Sequence, residues 1–84
     1  MNEQEKPLIE YPCEWHYQII GPDEEQMRAA VAEIVKTPFT LTATRTSKTG
    51  KYHSLRLLTT VANEEVRTSI YLALSRHPSI NVVM

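Results

Sequence analysis

Cys13, His16, His53 and His77 are the only soft ligands or nucleophile–base candidates in this sequence. Cys13-x-x-His16 has a suggestive spacing for thiolate or metal chemistry. On a regular strand, however, residues three apart point to opposite faces, so Cys13 goes with the core and His16 outside. Only a place in the loop before the strand would release Cys13 from this. A zinc site usually takes four ligands, and two are missing, so no metal is expected. His53 shares parity with Leu55 and Leu57 and edges the core, whereas His77 reads as a polar group at a helix C-terminus. General acid–base chemistry needs a carboxylate in a shielded cleft. Most carboxylates here gather in the N-terminal segment and in the first turns of two helices, while Glu14 stands on an open strand face. The two glycines, Gly21 and Gly50, are too far apart to cradle a phosphate. Neither an enzyme nor a cofactor is expected.

Charge gives a stronger signal. Residues 1–35 hold eight Asp/Glu against Lys6 and Arg28, a balance of −6; residues 36–62 hold five cations and no anion; residues 63–84 are neutral. Arg45, Lys48, Lys51 and Arg56 therefore make a basic segment in a chain whose formal charge is −1. Segregation of this kind marks an interaction surface. A solvated loop that keeps an edge strand from aggregating would carry the same charges.

The elements that must position these groups are readable. The 84 residues make one domain, 42% hydrophobic and 23% charged, without the composition of a disordered chain. A single cysteine forms no internal disulfide. No apolar stretch is long enough to span a bilayer and the first residues are acidic, so a cytoplasmic protein is expected. Residues 1–10 read as a flexible tail and 11–84 as the domain. Trp15, Tyr17 and Ile19 alternate with polar residues as in a half-buried strand. Asp23 caps a helix with Gln26 three residues on, a capping-box arrangement, and Met27, Ala30, Val31, Ile34 and Val35 form its stripe. Phe39–Thr44 and Tyr52–Thr59 alternate as two strands joined through Ser47-Lys48-Thr49-Gly50. Asn63 caps a second helix whose stripe is Val66, Ile70, Ala73, Leu74 and His77, and Ile80–Val83 supplies a last strand.

The order β-α-β-β-α-β predicts an α+β, ferredoxin-like sandwich: a four-stranded antiparallel sheet with both helices on one face. The other sheet face is left to His16, Gln18, Thr42, Thr44, Ser54 and Arg56. Other uses of this architecture fit poorly. The first strand–helix loop carries Asp23, Glu24 and Glu25, which would repel a phosphate, and holds no paired cysteines for copper. RNA-recognition modules stack bases on two or three open-face aromatics, and here only Tyr52 and His16 are offered. Lys48, Lys51 and Arg56 keep nucleic-acid binding by the hairpin as the second reading.

Tyr11-Pro12-Cys13, Tyr17-Gln18-Ile19-Ile20-Gly21, Ser47-Lys48-Thr49-Gly50-Lys51-Tyr52-His53-Ser54 and the segment His77–Met84, in this order and spacing, resemble the YbeD family of small bacterial proteins. The resemblance implies a ferredoxin-like fold similar to ACT-type regulatory domains, which bind small ligands such as amino acids at dimer interfaces. It implies no catalytic residues. It makes Gly21 and Asp23 a candidate ligand loop, because glycine permits close backbone approach and helix-start amides can meet a carboxylate. The expectation is a non-enzymatic regulatory or adaptor module that acts on a protein partner, with a small-molecule ligand and a homodimer as open alternatives. Its candidate partner-binding residues are Arg45, Lys48, Lys51, Tyr52, Arg56, His16, Gln18 and Ser54.

Overall fold

Alternation, caps and helix stripes resolve into six elements in the computed structural model, which describes residues 9–46 and 48–84. They are β1 (Cys13–Gly21), α1 (Glu24–Ile34), β2 (Phe39–Thr46), β3 (His53–Val61), α2 (Glu64–Arg76) and β4 (Val82–Val83). The sheet order is β2-β3-β1-β4 with every neighbouring pair antiparallel, the expected α+β architecture. Of the expected tail only Ile9 and Glu10 are described, both exposed and outside any element; Ser47 of the expected turn lies outside the described residues.

Both helices start where a side chain accepts an otherwise unpartnered amide. Asp23 Oδ1 accepts from the Gln26 amide at 3.0 Å, and Asn63 Oδ1 from the Val66 amide at 2.8 Å. The capping box at α1 is only half made, because the Gln26 side chain accepts from the Ser79 hydroxyl instead. Gly50, at φ 72°, supplies the left-handed turn between β2 and β3.

The core lies between the sheet and the helices. Tyr17 and Ile19 from β1, Leu55, Leu57 and Val61 from β3, Met27 and Val31 from α1, and Ile70 and Leu74 from α2 are all buried in it. Cys13 packs against its edge half-buried. β2 and α2 pack less simply than alternation and stripe suggest. In β2, Phe39 and Leu41 are only half-buried and Ala43 is exposed, because β2 is an outer strand that reaches past the helices. The stripe of α2 is rotated: Val66 is 37% exposed, and Arg67 turns inward with Ile70 and Leu74. Arg67 holds that place by stacking its guanidinium 4.4 Å from the Trp15 ring centroid, so its aliphatic stem packs while its charge finds a π-face.

Candidate functional site

The open face is ordered by the register of β3. Arg56 lies between Thr42 and Gln18, and Ser54 lies between Arg45 and Ile20. That second pairing depends on a β-bulge: Ala43 faces Leu55 and Arg45 faces Ser54, so Thr44 is the extra residue. Without it, strict alternation would send Arg45 toward the helix side. With it, Thr44 and Arg45 both serve the open face, a known use of bulges to re-aim a side chain.

A hydrogen-bond network fixes the floor of this corner. Gln18 Nε2 donates to Thr44 Oγ1 at 2.8 Å and also to Ser54 Oγ. Thr44 Oγ1 lies 3.0 Å from the Ser54 carbonyl and 3.1 Å from its hydroxyl. Around the network opens a cleft of about 640 Å³, walled by Ile20, Arg45, Tyr52 and Met84. The set combines a guanidinium, hydroxyls and an amide with an apolar wall. That combination suits a carboxylate or similar anion carried on an apolar stem, since guanidinium forks match planar anions.

Gln18, Arg45, Tyr52 and Ser54 are thus brought together from the expected residues. Arg56 shares the face beside Gln18, exposed. Lys48 and Lys51 are exposed in the connecting turn. His16 stands apart, two positions along β1, and lines a different groove with Glu14, Trp15 and Arg67. The expected ligand loop serves the fold instead. A Cβ on Gly21 would lie 2.5 Å from the Ser79 carbonyl oxygen and 2.8 Å from the Met27 sulfur, so the chain itself occupies the close approach that glycine allows. Asp23 is engaged as the helix cap. Thr44, Ile20 and Met84 were not foreseen as site residues: Met84 arrives from across the sheet, and nothing local in the sequence marks the bulge.

His53 and His77 play structural parts. His53 Nδ1 sits 3.4 Å from Thr46 Oγ1; His77 Nδ1 accepts from the Ser79 amide at 3.1 Å, and its Nε2 lies 3.5 Å from Glu33. Among the described residues no three His, Cys, Asp or Glu side chains gather as a metal site requires. No helix among them is long and apolar enough to cross a membrane. Among the described residues the clearly displaced titration is that of Tyr17, whose phenol is pushed up to about 12 by burial, partly opposed by the charge of Arg67 and reinforced by Tyr11.

Comparison with known proteins finds relatives over the whole chain. A UPF0250 protein of Neisseria gonorrhoeae is 34% identical over 91 residues that cover 100% of both chains. A UPF0250 protein of Nitrosomonas europaea is 32% identical over 85 residues, 95% of this chain and 98% of that one. The solution structure of HP0495 from Helicobacter pylori superposes with a TM-score of 0.82 at 27% identity, covering 98% of this chain and 91% of that one. Residues 6–84 match the family described as "Protein of unknown function (DUF493)". The chain belongs to the DUF493 family.

Proposed function

We propose that this protein is a non-catalytic adaptor or regulatory module that holds an acidic segment of a partner protein against the β2–β3 corner of its open sheet face. The observation that carries this reading is the joining of Arg45 to the Gln18–Thr44–Ser54 network at the base of a hairpin without a carboxylate. The network holds the floor, the guanidinium offers the charge, and Lys48 and Lys51 extend the positive field outward. A small carboxylate would enter the same cleft and compete with the segment, which is how a metabolite would regulate such a module.

The test is a titration of the ¹⁵N-labelled protein with a ten-residue polyglutamate peptide, followed by amide shifts. Shifts should centre on Gln18, Arg45 and Ser54. The Lys48→Glu, Lys51→Glu double variant, with its dispersed spectrum retained, should bind at least about tenfold more weakly, as loss of roughly 1.4 kcal/mol of attraction implies. Shifts elsewhere, or binding unaffected by the charge reversal, would remove this corner from the account. Tighter binding of a single-stranded oligonucleotide than of the peptide would replace the reading with nucleic-acid recognition.

A further inference from the structure

Beyond the cleft, β1 has an edge that β4 covers only in part. Gln18 exchanges both backbone hydrogen bonds with Met84, at 3.0 and 2.8 Å, and the Asn81 amide donates to the Ile20 carbonyl at 2.8 Å. Every second residue of a strand presents its N–H and C=O to the same side, so His16 and Glu14 repeat the geometry of Gln18. Among the described residues no strand pairs with them there. On the other side, β3 pairs with the whole of β1 from Cys13 to Gly21. This is an inner strand with an open half-edge, and backbone groups in that state are a template for another strand.

A helix wall shapes the half-edge into a groove of about 630 Å³, with Trp15 and Tyr17 below and Arg67, Thr68 and Tyr71 beside. The wall is pinned to the strand. Tyr17 donates its hydroxyl to the Arg67 carbonyl at 2.8 Å, and the Arg67 guanidinium lies over Trp15. The carboxylate nearest Arg67 among the described residues is Glu64, at 3.8 Å and on a largely exposed side chain. The guanidinium is therefore held in place without a close carboxylate fork. Tyr71 and Met84, 43% and 66% exposed, add apolar surface at the β4 end of the groove.

We infer that this half-edge of β1 receives an extended segment of a partner protein by strand addition, continuing the line of β4. The segment runs antiparallel to β1 and exchanges hydrogen bonds with His16 and Glu14. Its helix-side positions alternate an apolar residue, set against Tyr17 and Tyr71, with an Asp or Glu that meets Arg67. Main-chain pairing supplies affinity in this mode and alternate side-chain pockets supply specificity. A second copy of the chain fits less well. Pairing Glu14 of one copy with His16 of another brings the second copy's Pro12 opposite Gln18, the position Met84 already holds.

The experiment is selection of displayed eight-residue peptides, randomised throughout, against the immobilised full chain. Binding of the enriched peptides is then followed by amide hydrogen exchange. Enriched sequences should carry an apolar and an acidic residue two positions apart, on one face of the strand, and the amides of Glu14 and His16 should exchange at least about tenfold more slowly in the complex. N-methylation of the peptide amides that face β1 should weaken binding by about tenfold or more, as lost backbone hydrogen bonds require. Arg67→Met should weaken acidic peptides and spare their glutamine counterparts. No enrichment, or protection confined to the β2–β3 corner, would overturn the proposal while leaving the corner reading intact. Concentration-dependent protection of Glu14 and His16 without peptide would overturn it in favour of self-association.

Discussion

Tyr17 carries a phenol into the interior, where the residue is 2% exposed, and its hydroxyl is satisfied by one acceptor, the Arg67 carbonyl. The sequence marks Tyr17 as a core position, because it shares parity with Trp15 and Ile19. It does not mark the acceptor, which lies 50 residues away on a helix whose rotation depends on packing. Burial favours the neutral phenol, so its pKa rises from 10.0 to about 12. Folded protein retains the proton between about pH 10 and 12 while unfolded chain releases it, so stability is intact below pH 10 and falls as pH rises through the folded pKa. Urea unfolding at pH 8, 10 and 11 should show a fall in stability that steepens toward at most about 1.4 kcal/mol per pH unit from this group. Tyr17→Phe should cost about 1 kcal/mol at pH 8 through the lost hydrogen bond and flatten the alkaline fall. An unchanged slope in that variant would assign the alkaline loss to other groups.

Elements were legible where the signal is local. Strand alternation, both helices and both caps were readable, since each depends on neighbours within a turn or on period two. What escaped depends on partners distant in sequence. The inward turn of Arg67 needs Trp15 to stack on, so a hydrophobic stripe alone selects Val66 instead. The bulge at Thr44 is a property of the ladder between β2 and β3, and the candidate cleft depends on it. Its role gives a prediction against intuition. Deleting Thr44 should leave Ala43 opposite Leu55 and Arg45 opposite Ser54, turning the bulge into a plain ladder with Arg45 still on the open face. Cross-strand nuclear Overhauser contacts for both pairs should persist in the deletion variant. Their loss would show that the β2–β3 register depends on the bulge and does not close up without it. The Gln18–Thr44 and Ser54–Thr44 hydrogen bonds would be lost in either case.

At the scale of the whole molecule, the segregation of charge read from composition survives folding in part. The basic hairpin projects from the β2–β3 end of the sheet, while Glu24, Glu25, Glu64 and Glu65 sit in the first turns of the two helices. Such a field orients an approaching partner and is screened by salt. The association rate with an acidic peptide, measured by stopped flow, should fall at least about tenfold between 50 mM and 500 mM salt, with dissociation changing far less. A salt-insensitive association rate would mean that the charge pattern does not steer binding. The short β4 has a practical consequence of another kind. Anything fused after Met84 begins in register with the open half of β1 and points along it. An affinity tag at that end would be tethered at high effective concentration beside the groove and would act as a competitive inhibitor built into the reagent. The choice of tagged end thus becomes an experimental variable, and a negative binding result obtained with a C-terminal tag would report on the tag.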